Sequence, residues 1–483
     1  MPDRGLGMQS RPIALHWLAL SLLLAGCVSP SRSELPSTGP FAEDHALAEG
    51  VATGQVGSGS ALVWTRTHGP ARVQIEWTPE NGQSAVALFR SAAMTTAADR
   101  DFTVTIPLEG LTPATAYRYR ILTAGLRHET ELAERATGRF KTSAASETPE
   151  PVRFVWSGDM GGQKHCRDQV AGYPIFVRMR QADPAFAILL GDLIYADDRC
   201  PAPPNVPGGD FLATTLDEYR AKHRYQRGDP ALQRFLSEVP VYAIWDDHEV
   251  RNNFAGAADP LMPVGRQALL DYWPIATPAE DPYRLYRKIR RGADLEIFIL
   301  DTRQYRSKNE EPDGEAKTML GVGQRDWLIQ GLATSTATWK VIATSVPLSI
   351  PKQGSQQMPG NDSWARAADG TGFQTELRRI LDAMKARGVR NVVWLAADVH
   401  FAQVNQYDPD GDGVADFLEF VAGPLAAASG PAIAPDPTFR PSTLYSVGKF
   451  ANFGLVTVQS RTLRLEIVDE AGTSRFVHTF QAQ

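Results

Sequence analysis

Three things are scarce in this 483-residue chain. Cysteine occurs three times, so one disulfide is the most it can form within itself. Positive charge is not in excess: 49 Lys and Arg against 55 Asp and Glu leave a formal charge of -6, which gives no support to a nucleic-acid-binding surface. Long apolar runs are missing beyond the first 27 residues, so no later segment is long enough to span a bilayer. What is present is ordinary globular composition, with 43% hydrophobic and 22% charged residues. At this length two or three domains are expected.

The N-terminus has its own pattern. Arg4 and Arg11 precede the apolar run Trp17 to Leu24, which ends in Leu24-Ala25-Gly26-Cys27. The run is too short for a permanent membrane helix, and its flanks suit a cleaved signal. Its end resembles a bacterial lipoprotein signal, in which Cys27 is lipidated; the other reading is a plain secretory signal, and Met8 is a second candidate start. Residues 1–27 are thus expected to be a signal peptide and residues 28–43, rich in Ser and Pro, a flexible tether. The expected location is an exported lipoprotein on the periplasmic or outer-membrane face, touching membrane through its lipid alone. Oligomeric state is not legible.

Residues 44–145 alternate short β-rich runs with turn residues, as in Ala71-Arg72-Val73-Gln74-Ile75-Glu76-Trp77 and Phe102-Thr103-Val104-Thr105-Ile106. Period-two alternation predicts half-buried strands. The stretch Leu111-Thr112-Pro113 to Tyr117-Arg118-Tyr119 resembles the corner of fibronectin type III domains, which implies a β-sandwich. From residue 150 to 483 the texture changes. Apolar strands end in acidic residues or histidine and alternate with helix-compatible stretches such as 173–181 and 375–386, the pattern of an α/β domain. The fold class expected is therefore multidomain, an N-terminal sandwich followed by an α/β domain.

Ligands of open α/β sheets bind beyond the carboxyl ends of the strands. Four such ends carry chemistry here: Asp159 after Arg153-Phe154-Val155-Trp156; Asp192 and Tyr195 after Phe186 to Leu190; Asp246-Asp247-His248-Glu249 after Val241 to Ile244; and Asp398 with His400 after Val392 to Leu395. One strand-terminal Asp is most simply a helix cap. Four in succession put a concentration of negative charge at one sheet edge, which is costly unless cations neutralise it. Oxygen-rich ligands with a few imidazoles suit hard or borderline metals.

The order of these blocks resembles the metallophosphoesterase superfamily. Gly191-Asp192-Leu193-Ile194-Tyr195 is similar to the G-D-x-x-Y of purple acid phosphatases. Trp245-Asp246-Asp247-His248-Glu249 with Asn252-Asn253, then Leu300-Asp301-Thr302-Arg303 and Glu419 to Pro424, resemble the PhoD-like (alkaline phosphatase D) family. The resemblance implies a four-layer αββα sandwich and hydrolysis of phosphate mono- or diesters by a metal-activated water. It also implies Fe(3+) and Ca(2+), with Zn, Mn or Mg as substitutes. Carried over, Asp159, Asp192, Tyr195, Asp247, Asp398 and His400 would be ligands, Asp192 bridging and Tyr195 and His400 on the iron side. Two departures stand out. The cysteine that family members often carry after the first strand is replaced by Gly158 in Ser157-Gly158-Asp159, and Thr344-Ser345-Val346-Pro347 occupies the place of the V-x-x-H block. The second site is left poor in nitrogen, which favours Ca or Mg there.

In that scheme His248 stabilises the transition state or protonates the leaving group. Arg303 holds a phosphate oxygen, or else pairs with Asp301 or another acid. Asn252 and Asn253 orient neighbours or form a turn, and Glu249 supplies order rather than chemistry. Cys166 and Cys200 follow two of the strands at similar distances; a disulfide at the rim of the site is expected, against a metal thiolate or two free thiols. Separately, Asp408, Asp410, Asp412, Gly413, Asp416 and Glu419 fit the calcium-loop pattern D-x-D-x-D-G-x5-E, with an acidic hairpin tip as the other reading. The substrate expected is a small-molecule or lipid phosphate ester. Alternatives are a nucleotidase or phospholipase-type diesterase on the same fold, or an inactive hydrolase acting as a surface-binding module.

Overall fold

The computed structural model describes residues 47–80, 88–126, 131–352 and 359–483. The expected signal peptide, the expected tether and Cys27 lie outside them. All described residues fall in one compact unit, and none of their helices is long and apolar enough to cross a membrane.

Two mixed sheets build the larger part. In the first, Phe186–Leu190 lies parallel to Val152–Ser157 on one side and to Val241–Ile244 on the other. In the second, Leu295–Ile299, Trp339–Ala343, Val392–Ala396 and Phe417–Val421 run parallel in that order. These strands are almost wholly apolar because both of their faces are covered.

Alternation along the second sheet shows how. Leu295, Ile297, Ile299, Val341, Ala343, Val393 and Leu395 enter one core shared with the first sheet. Phe298, Ile342, Val392 and Trp394 point the other way, into a core with Leu328 and Leu332 of the Gly321–Thr334 helix and Leu377, Ile380 and Met384 of Gln374–Ala386. That is the period of two read twice, once for each face. Trp156 of the first sheet lies 6.2 Å from Phe420 of the second, and its indole donates to the Ala396 carbonyl at 3.3 Å. The carboxyl ends of both parallel sets converge along this seam.

The N-terminal strands do not form a closed module beside this core. Val51–Gly54, Ser60–Arg66 and Thr103–Glu109 continue the first sheet to nine strands, joined through Gly54 and Val241. A separate sheet containing Ala71–Pro79, Ala116–Gly125 and Ala133–Lys141 packs over them through Val63, Val73, Ile75, Ile106, Tyr119 and Phe140. The Tyr117 hydroxyl accepts a hydrogen bond from the Thr112 amide at 2.8 Å, a tyrosine corner that pins the turn entering its strand. The chain division near residue 145 therefore falls inside a continuous sheet.

Candidate metal centre

Asp159, Asp192, Asp398 and His400 share a backbone feature as well as a place at the strand ends. Their φ angles are 61°, 52°, 67° and 58°. A left-handed turn after each strand aims the side chain back over the sheet edge, a conformation that Asp tolerates better than most residues. Close approach completes the turns. At Gly191 a Cβ would lie 2.3 Å from the Asp246 Cβ, and at Gly423 one would lie 2.5 Å from Asp159 Oδ2. The Glu419 to Pro424 stretch thus brings bare backbone against a ligand candidate.

Three overlapping groups result. Asp159, Asp192 and His400 converge; so do Asp192, Asp247 and His248; so do Asp246, Asp247 and Asp398. Within each group the ligand atoms lie within 4.8 Å of one another. Asp192 belongs to two groups, as a bridging ligand would. Tyr195 joins the first, its hydroxyl 3.1 Å from His400 Nε2, which is 3.3 Å from Asp159 Oδ1. His400 Nδ1 donates to the Ala428 carbonyl. That bond keeps a proton on Nδ1 and turns Nε2 toward the acids.

The donor set fits cations. Asp159 Oδ2, Asp246 Oδ2, Asp247 Oδ1, Asp362 Oδ1 and Asp398 Oδ2 are buried without any hydrogen-bond donor. Burial, then Asp247, Asp246 and Glu249, push the Asp192 carboxyl well above its usual range. Such oxygens are expensive to bury unless positive charge faces them. Both described cysteines are joined in the Cys166–Cys200 disulfide, with Cα atoms 5.8 Å apart, so no thiolate enters the described cluster.

His248 stands at the rim. Its backbone amide donates to Asp192 Oδ1 at 3.2 Å, its Nδ1 lies 2.6 Å from Asp197 Oδ1, and its ring stacks 4.3 Å from that of Tyr195. Burial opposes its charge, but Asp247 and Asp197 outweigh burial and raise it to about 9. Asp197 also accepts the Asn252 amide at 2.7 Å, so Asn252 contributes its backbone. Asn253 donates its backbone amide to Asp247 Oδ2 at 2.6 Å; with its amide turned to face the acids, Nδ2 lies 3.2 Å from Asp247 Oδ2 and 3.3 Å from Asp362 Oδ2. Glu249 accepts the amides of Asp192, Leu193 and Asp246 at 3.2, 2.6 and 2.8 Å, tying two ligand turns together.

Arg303 and Glu419 each have two readings open. Arg303 has no exposed side-chain surface, and its guanidinium lies inside the acid cluster, 2.6 Å from Asp246 and 3.0 Å from Asp362. Of its two readings the pairing with acids is the one seen, and Asp301 receives only its backbone amide. Glu419 is buried on its strand and accepts from the Leu348 amide, Asn405 and Tyr407. It closes neither the centre nor the loop at 408, because the chain has entered the Phe417–Val421 strand by then. In that loop Asp408, Asp410 and Asp412 do come together. Asp408 accepts the amides of Gly411, Asp412 and Gly413, and Asp410 pairs with Lys385. Asp416 is not part of that group, and its amide donates to the Tyr407 carbonyl.

Three residues of the centre, Asp197, Asp362 and Lys352, escaped the sequence reading, and Asp246 was read at its strand end without a ligand role. Asp246 is one of two adjacent acids, and Asp197 one of several in a short run. Asp362 and Lys352 come from an irregular stretch with no strand to mark them.

This arrangement of carboxylates, imidazole and phenol at the ends of two facing sheets defines a metallophosphoesterase-like centre. The family model described as PhoD-like phosphatase matches residues 154–466, and that of its N-terminal domain matches residues 34–144. The chain belongs to the PhoD-like phosphatase family and is by that membership a phosphoric ester hydrolase. It is 26% identical over 423 residues to alkaline phosphatase D of Bacillus subtilis (strain 168), covering 79% of this chain and 69% of that protein. Among solved structures, that of PhoD superposes with a TM-score of 0.76 at 21% identity, covering 92% of each chain. That of the purple acid phosphatase PPD1 from yellow lupin (Lupinus luteus) seeds superposes with a TM-score of 0.62 at 15% identity, covering 90% of this chain and 74% of that one.

Proposed function

We propose that this chain hydrolyses small phosphate esters at the shared edge of its two sheets, with Fe(3+) held by Asp159, Asp192, Tyr195 and His400. Calcium is the proposed occupant of the all-oxygen side built from Asp246, Asp247 and Asp398. The observation that carries the reading is the chain of three groups linked through Asp192 and Asp247, with buried oxygens that face no donor. Cations there would acidify a water and draw charge from the phosphoryl oxygens.

The chain's own residues do the rest. Asp197 orients His248, whose other ring nitrogen is free to give a proton to the departing oxygen. Glu249 and Asn253 hold the turns that carry Asp192, Asp246 and Asp247, so the carboxylates are placed before substrate arrives. A cavity of about 210 Å³ lined by Arg251, Asn253, Asp259 and Asn309 adjoins the centre through Asn253, and is proposed to take a polar leaving group.

Export as a lipoprotein through Cys27, and a fibronectin III-like character for the N-terminal strands, belong to the same proposal; the first rests on Leu24 to Cys27 and the second on the tyrosine corner. The decisive experiment is elemental analysis with a visible spectrum on protein purified without added metal, beside turnover of a monoester and a diester. Iron with a tyrosinate band that Tyr195→Phe abolishes supports the iron assignment. Absence of metal, with no turnover restored by any, overturns the proposal.

A further inference from the structure

The acid cluster around Arg303 brings cations of its own. Asp246, Asp247, Asp362 and Asp398 are all buried. Arg303 reaches every one of them, at 2.6, 3.8, 3.0 and 3.9 Å respectively. Lys352 contacts Asp398 directly and lies 3.8 Å from Asp362. Four carboxylates thus face two cations, and with all four ionised they stand one divalent cation short of neutrality.

The two cations are not equivalent. Arg303 is sealed in, a planar fork spanning several acids. Lys352 enters from the rim with its side chain 25% exposed, and its backbone amide is anchored by Asn361 Oδ1 at 3.0 Å. Its ammonium is a compact point charge set between two carboxylates, each with one oxygen, Asp362 Oδ1 and Asp398 Oδ2, that meets no donor. A small hard cation bound by carboxylate oxygens would occupy the same kind of position.

Resting on the reading of this centre as a metal site, we propose that Lys352 is a resident counter-ion standing where a divalent cation would otherwise bind. Removing its charge converts the Asp362–Asp398 pair into an additional divalent-cation site. Two buried carboxylates deprived of their ammonium are strongly destabilising until another cation replaces it.

The test compares wild type, Lys352→Met and Lys352→Arg after chelation and calcium titration, with bound calcium counted by elemental analysis and Tm measured with and without calcium. Lys352→Met is expected to bind one more equivalent than wild type, to melt lower without calcium and to recover more on its addition. Lys352→Arg, which keeps the charge, is expected to bind as wild type does. If Lys352→Met does not fold without calcium, Lys352→Gln is titrated in the same way, and rescue of folding by calcium is itself a supporting result. Wild type that binds calcium beside a Lys352→Met protein that gains none overturns this proposal alone. The same result with a raised KM would place the lysine on substrate instead. Failure of every protein, wild type included, to bind any metal overturns both this proposal and the reading beneath it.

Discussion

The two sides of the centre solve one problem differently. On one side, around Tyr195, Asp159 and Asp192 meet His400 and Tyr195, and among the described residues no Lys or Arg is ion-paired with Asp159 or Asp192. On the other side, around Arg303, the acids Asp246, Asp247, Asp362 and Asp398 meet Arg303 and Lys352. The first side leaves its charge to be balanced by whatever binds; the second has half of it balanced within the chain. Weaker, exchangeable metal binding is therefore expected on the second side, and tight retention on the first. Both conditions arise from one sheet-edge geometry, so the side chains filling it set the difference.

Asp192 is where the comparison breaks most completely, because it shares one group with Asp159 and His400 and another with Asp247 and His248. Asp192→Asn should remove metal from both sides and lower kcat/KM by about 10³-fold or more, roughly 4 kcal/mol of transition-state stabilisation. Tyr195→Phe should disturb only the first side, altering the spectrum while leaving calcium binding intact. Equal metal loss in the two variants, by elemental analysis, would mean that the sides are not separable.

His248 sits between the sides and tests their shared chemistry. His248→Asn should lower kcat by about 10²–10⁴-fold on esters with poor leaving groups, and less on nitrophenyl esters that depart without a proton. Asp197→Asn should follow the same leaving-group trend with a smaller loss, about 10- to 100-fold, as expected of a residue that acts through the imidazole. A uniform loss across leaving groups would instead assign His248 to charge stabilisation.

The two sides also differed in how far the sequence revealed them. Asp159, Asp192 and His400 were legible because an apolar strand precedes each, and strand ends in an α/β sheet are where ligands gather. Asp362 and Lys352 were not, since the segment between Ala343 and Gln374 has no periodicity from which a position could be argued. The alternation that predicted strands at 71–77 and 102–106 was sound locally. It could not tell that Thr103–Glu109 would continue the sheet of Phe186–Leu190 while Ala71–Pro79 packed across it, because period two names a buried face and not a partner. Glu419 shows the limit of spacing: it completes a calcium-loop pattern, yet it lies within the buried strand that begins at Phe417, as the acidic-hairpin reading has it.

The Cys166–Cys200 bridge joins the loops that follow the Asp159 and Asp192 strands, the two that supply the carboxylates of the first side. Replacing both cysteines with serine should cost about 3–4 kcal/mol of stability, the loop-closure value for a sequence separation of 34 residues. Iron retention should suffer more than calcium retention. Denaturant midpoints and metal content together decide it, and equal loss of both metals would show that the bridge steadies the whole edge.

The smallest effect separates the centre from its scaffold. His223 is buried, stacked 5.2 Å from Tyr272, and its Nε2 meets no hydrogen-bond partner. Burial, with Arg227 and Arg224 close by, lowers it to about 3. Unfolded, the same imidazole takes a proton near pH 6.5, so acid favours the unfolded chain. The stability it permits is full above about pH 6.5 and declines as pH falls toward 3, by about 2 kcal/mol between pH 7 and pH 5. Denaturant midpoints of wild type and His223→Gln at the two pH values isolate this contribution, since the variant should lose that part of the slope. If the slopes coincide, the acid sensitivity belongs to the carboxylates of the centre, and the contrast between its two sides would then govern the stability of the whole fold.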